Sequence, residues 1–314
     1  METIAQLRDY GQSLLNWIKR RPADAFLLAA LGATLVYFFG FLKLYADGHL
    51  STLVWAWQAW NPETNYEHAK LIPLIALVLV WTSREKLRRA PLGSSRWGLA
   101  FVAFGLLLFL VAARTLQARI ALVALPFLLF GVVLHVWGRR VARILLFPIA
   151  FLFFAVPLNF LAQATVSLQF IETGAASAIC NLVGIGVRHL GTTIVATDET
   201  FRFSIDEGCS GIRSLMAIAM LSAIYGHYAF DRLWKKLANF AAALLFAIIG
   251  NAGRLVSIMV VAKWFGQDLA GGPYHSASGF LSFPFAIGAM LLFGKLLNLQ
   301  SRRAVVPPTP QEAV

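Results

Sequence analysis

The sequence predicts an all-α membrane protein of about eight transmembrane helices, with an amphipathic helix and a small hairpin on its outer face. Three observations predict it. Hydrophobic residues make up 59% of the 314-residue chain and charged residues only 13%, well below the roughly one quarter typical of soluble domains. Apolar blocks recur from Phe26 to Leu299 with no long polar interval. Basic residues gather in short clusters between those blocks.

A helix needs about 20 apolar residues to cross about 30 Å of hydrocarbon, and eight stretches qualify: 25–45, 66–83, 97–113, 119–137, 144–163, 209–229, 237–263 and 279–299. With both termini in the cytoplasm, the tails and the loops after spans two, four and six hold 17 of the 27 Lys and Arg residues, and the opposite loops hold four. That asymmetry sets the orientation by the positive-inside rule. It also accounts for the net charge of +12 without a nucleic-acid partner, because the clusters flank spans rather than form a stripe. Residues 1–24 read as a cytoplasmic amphipathic segment with no cleavage site of a removable signal, 25–299 as one transmembrane domain, and 300–314 as a disordered cytoplasmic tail.

Three outer loops follow. The first, Asp47 to Tyr66, carries Trp55, Trp57 and Trp60, as an interfacial aromatic belt does. The second, Ala164 to Gly208, opens with an amphipathic stretch suited to lying on or dipping into the membrane. It continues as TTIVATDETFRFSID, which alternates around a turn at Thr197 to Glu199 and predicts a hairpin. The third, Gly266 to Ser278, contains GGPYHSASG and no Lys or Arg.

This orientation puts Cys209 at the outer, N-terminal end of span six, where helix N–H groups favour a thiolate and can stabilise an oxyanion. Asp206 and Ser210 are candidate N-caps. Arg213 falls one turn from Cys209 on the same helical face, and Arg254, in IIGNAGRLVSI of span seven, reaches the same outer level. Charges inside a span are expensive and default to functional readings. His275, in the loop before span eight, completes a thiol, a base and cationic donors, the minimum for acyl transfer through a thioester. His68, near the start of span two, is a further candidate for substrate support, with Arg213 and Asp206. Cys180, in an apolar stretch, reads as a packing residue that does not pair with Cys209. No His, Cys and carboxylate cluster has ligand spacing, so neither a metal nor a cofactor is expected.

The ordered segments EGCSGIRSL, NAGRLVSI and YHSASGF, with NYEHAKLIPLIALVLVW and FAVPLNFL upstream, resemble the exosortase and archaeosortase family of polytopic membrane cysteine transpeptidases, over about Trp55 to Leu297. The resemblance implies Cys209 as nucleophile, Arg254 as support for the thiolate or oxyanion, and His275 as general acid and base. Arg213 matches the arginine of the cysteine motif. It further implies a multi-pass protein of the bacterial inner membrane, with its site facing the periplasm. The partners it implies are membrane lipid, a surface acceptor and secreted proteins ending in a short motif (often Pro-Glu-Pro), a transmembrane helix and a basic tail, frequently alongside exopolysaccharide production. The family's common Ser-His-Gly reads Glu67-His68-Ala69 here. Two other readings compete: an intramembrane serine protease using Ser210, and an anion or lipid transporter in which the arginines bind an anion. The chain lacks the broken-helix repeats of many transporters, but the Gly250-Asn251-Ala252-Gly253 interruption keeps that second reading open.

Overall fold

The computed structural model describes residues 22–157, 159–204 and 211–303, together with Gln12 and Lys19. Most of the expected N-terminal segment, and the tail from 304, lie outside the described residues. The chain is mostly helical and forms two compact units, Met1–Pro157 and Leu158–Val314.

In the first unit, α1 (Pro22–Val36) runs into a π turn, Tyr37–Phe41. A short α2 (Thr52–Ala59) begins where Ser51 caps Val54 N–H, and a 3-10 turn, Glu67–Leu71, leads into α3 (Ile72–Thr82). Pro73 sits in the first turn of α3, where its missing N–H costs no hydrogen bond. The basic stretch 84–89 forms α4 (Arg84–Arg89). Two long helices follow, α5 (Trp97–Thr115) and α6 (Ala118–Val136), within two residues of the predicted spans. Gly98 and Gly131 let their backbones touch: a Cβ on Gly131 would lie 2.7 Å from Val102 N and 2.8 Å from Gly98 O. Small residues at such a crossing are how helices pack when lipid is the solvent.

The fifth expected span, 144–163, is not one helix. Helix α7 (Gly138–Phe151) tightens into a 3-10 turn, Leu152–Ala155, and Val156 is extended. Pro157 explains the stop, since a residue before proline is pushed out of the α region. Trp60 Nε1 donates to the Ala155 carbonyl at 2.7 Å, satisfying an acceptor that the broken helix leaves over.

The second unit starts with α8 (Asn159–Leu182), a single helix that takes in most of the expected amphipathic stretch and begins before it. The predicted hairpin is present as β2 (Thr193–Ala196) and β3 (Arg202–Ser204), but an unpredicted strand, β1 (Val187–Leu190), pairs with β2 to make a three-stranded antiparallel sheet. Its inward residues Val187, Ile194 and Ala196 join Cys180, Phe201 and Ile258 in a buried cluster. Cys180 is a free thiol there, consistent with a packing role.

Three helices complete this unit: α9 (Ile212–Ala229), α10 (Leu233–Phe265) and α11 (His275–Arg303). Helix α10 runs unbroken through Gly250 to Gly253, which removes the broken-helix feature behind the transporter reading. The expected open loop 266–278 is also helical: one turn at Gln267–Leu269 widens into a π turn, Ala270–Tyr274, around Pro273 and continues into α11. Proline lacks the N–H that an α ladder needs at that point.

Among the described residues, four helical stretches are long and apolar enough to cross a membrane: Trp97–Thr115, Ala118–Val136, Leu233–Phe265 and Gln267–Leu299. Their outward residues, such as Leu99, Leu106 and Leu110 on α5, are exposed, as lipid-facing side chains are.

Candidate active site

The site in the second unit grows from α10, where Asn251 and Arg254 stand three residues apart and so share a face. Arg254 is half-buried. Its Nε donates to Ser278 Oγ at 2.8 Å, and its Nη2 reaches the His275 carbonyl at 3.4 Å. Ser278, 3% exposed, in turn donates to the same carbonyl at 2.7 Å. One edge of the guanidinium is thereby fixed against the first turn of α11, while Nη1 makes no hydrogen bond among the described residues. The half-buried His275 begins that turn. The pairing of Arg254 with the His275 segment is therefore real contact, made through the backbone and Ser278.

Cys209, Ser210 and Asp206 lie outside the described residues, but both flanks of their segment are described. Before it, Phe203 packs on the π turn: a Cβ on Gly271 would lie 3.1 Å from its ring Cε1. Arg202 N–H donates to Gln267 Oε1 at 3.0 Å. After it, Gly211 abuts Asn251, with the position of an added Cβ 2.8 Å from Nδ2 and 2.9 Å from Cγ. The two ends of the cysteine segment are thus held by the same two elements that supply Arg254 and His275.

Gly211 also fixes where α9 begins. It is the N-cap of α9, with φ of 66°, a left-handed conformation that suits glycine. The helix starts at Ile212, with no side-chain cap at Gly211; the expected caps Asp206 and Ser210, and the expected spacing of Arg213 from Cys209, fall outside the described residues. Arg213 lies in the first turn of α9 and is exposed. His68 belongs to the first unit, where it stacks on Tyr66 at 5.5 Å between ring centroids; its Nε2 is buried without a hydrogen-bond partner among the described residues.

Sequence reasoning missed Ser278 and Glu172. Glu172, on α8 and 1% exposed, accepts from Asn251 Nδ2 at 2.6 Å. The available signal was a lone carboxylate in the otherwise uncharged helix QFIETGAAS. Among the described residues no His, Cys and carboxylate group could hold a metal ion.

The model of the transmembrane exosortase family matches residues 57–294, which takes in both flanks of the cysteine segment, Arg254 and His275. The chain belongs to the transmembrane exosortase family. Searches of curated proteins and of solved structures return no match. Membership makes this a membrane protein of a family whose members are generally transpeptidases or proteases.

Proposed function

We propose that this exosortase is a membrane-embedded cysteine transpeptidase that cuts C-terminal sorting signals of secreted proteins and passes them to a surface acceptor. The observation that carries the reading is the contact of Arg254 with Ser278 and the His275 backbone, beside the two anchored ends of the cysteine segment. Cys209 is two residues from Gly211, so chain connectivity alone keeps their Cα atoms within about 7 Å.

In this reading the Cys209 thiolate attacks the scissile carbonyl. A C–S bond forms, and the resulting oxyanion is met by Arg254 through Nη1, the edge not held by Ser278. As the C–N bond breaks, His275 protonates the leaving amine. It then takes a proton from the acceptor amine or from water, whose attack on the thioester releases the thiolate. Arg213 serves substrate orientation.

The topology belongs to the same proposal: about eight spans in the inner membrane, both termini cytoplasmic, and the site at the periplasmic face. Helix length supports the last point. From Leu233 to Arg254 an α-helix rises about 32 Å, so a helix entering at the cytoplasmic boundary brings Arg254 to the far side of about 30 Å of hydrocarbon.

The test is co-expression with a secreted protein carrying a Pro-Glu-Pro motif, an apolar helix and a basic tail, followed by mass spectrometry of its new C-terminus. Cys209→Ala should abolish processing and Ser210→Ala should leave most of it. Processing that survives Cys209→Ala but not Ser210→Ala would install the serine mechanism instead.

A further inference from the structure

We infer that Glu172 is a positioning residue of this site, acting through Asn251 on the segment that bears Cys209. The inference rests on the proposed role of Cys209 as nucleophile. Its physical starting point is an oddity of α8. Glu172 is the sole acidic residue of that helix, and it lies on the buried face with Gln169, Thr173 and Ala176, which the helical repeat brings together. A carboxyl group taken out of water costs free energy unless its polar atoms are hydrogen-bonded. Here one oxygen, Oε2, has Asn251, and the other, Oε1, is buried with no hydrogen-bond partner among the described residues. Packing alone gives no reason for that arrangement, since an apolar residue of similar volume would fill the space without the cost.

What the carboxylate supplies is a fixed orientation for Asn251. An amide can turn either face to a neighbour, and here Asn251 Nδ2 donates to Glu172 Oε2 at 2.6 Å. Asn251 thus presents its NH2 group to Glu172, and its carbonyl oxygen is directed elsewhere. The same amide is the surface on which Gly211 rests, 2.8 to 2.9 Å from where a Cβ would stand. Glu172, Asn251 and Gly211 thus form a line of contact from α8, across α10, to a point two residues past Cys209. Arg254 stands on the same face of α10 as Asn251. One buried carboxyl group therefore bears on the amide against which the end of the cysteine segment packs, on the side of the helix that carries the proposed oxyanion donor.

A mere strut between α8 and α10 would give a different outcome from a positioning residue. In a Cys180→Ser background Cys209 is the sole thiol of the chain, so its alkylation by a maleimide reports its setting without any substrate. Glu172→Leu should slow alkylation and lower kcat for processing by about ten-fold or more, because small misplacements of reacting groups are costly, while KM changes little. Glu172→Gln keeps an acceptor oxygen for Asn251 and should recover most of both rates. Asn251→Leu should match Glu172→Leu, and the double variant should be no worse than either, as expected of residues acting in series.

Should Glu172→Leu fail to fold, Asn251→Asp carries the test, since it sets two carboxylates face to face and should slow both rates. Wild-type alkylation and kcat in folded Glu172→Leu or Asn251→Asp overturns the inference, as does strict additivity in the double variant. A failure of the transpeptidase reading would look different: Cys209→Ala would process normally while the alkylation rates still followed Glu172.

Discussion

Where α5 crosses α6 in the first unit, two glycines let backbone meet backbone, and the neighbouring cavity of about 390 Å³ is lined by residues such as Pro73, Ala76, Leu122 and Ile149. Where α10 meets its neighbours in the second unit, the contacts are polar at several levels. Lys235 donates to Asn298, Asn239 to Ser222, Asn251 to Glu172 and Arg254 to Ser278. Both kinds of crossing hold helices together in an apolar solvent. Dispersion and small residues suffice for that, and an intramembrane ionisable group exacts a cost that packing does not require. The contrast assigns stability to the glycine crossing and chemistry to the outer part of α10, and each side of it can be broken separately.

The largest expected effect is at Arg254. Arg254→Ala should lower processing by about 10²–10³-fold, as loss of an oxyanion donor does, with little change in melting temperature. Arg254→Lys keeps the charge but not the planar fork that lets Nε and Nη2 grip Ser278 and the His275 carbonyl while Nη1 stays available; it should fall between the two. Normal processing by folded Arg254→Ala would remove the chemical role from α10.

Gly211→Ala comes next. The new Cβ would meet Asn251 at under 3 Å, at a φ of 66°, so the segment after Cys209 must shift. We expect about a ten-fold loss of processing from protein that still folds. Its counterpart, Gly131→Leu, should do the reverse. Forcing a side chain into the α5–α6 crossing costs about 1–3 kcal/mol, seen as a lower melting temperature in detergent, while activity per folded molecule is kept. If Gly131→Leu instead impairs catalysis in a fully stable protein, the division of labour fails.

Those two glycines also mark what the sequence made legible. Spans 97–113 and 119–137 could be read to within two residues because uniform apolarity over a full crossing leaves one structure available. The order of Cys209, Arg254 and His275 was legible because polar groups stand out against lipid. How Arg254 meets the His275 segment was not. It depends on Ser278 and on a π turn around Pro273, neither of which shows in hydropathy. Glu172 was harder still: its partner lies 79 residues away, and a lone acid in an amphipathic stretch reads as the wet side of a helix. Strand β1 escaped notice because VRHL has no clean alternation; only its first residue is buried.

The smallest effect tests the edge of the second unit. Asp198, on the turn between β2 and β3, accepts from Lys263 Nζ at the end of α10 and from Thr200 Oγ1. These bonds, Lys263 first, hold its carboxyl down from 3.8 to about 2. A depressed carboxylate stabilises the fold fully above its unfolded value, and that contribution fades as pH falls toward the folded one. The wild-type melting temperature should therefore exceed that of Asp198→Asn above about pH 4, and the two should converge as pH approaches 2. The gap should be small, because the pair is partly exposed and screened by water, and it should shrink in high salt. Processing at neutral pH should be nearly unchanged, since the pair ties the sheet to α10 rather than touching the reacting groups. A large catalytic loss in Asp198→Asn would mean that the sheet transmits its position to the cysteine segment through Phe203, and would extend the polar half of the contrast outward from α10.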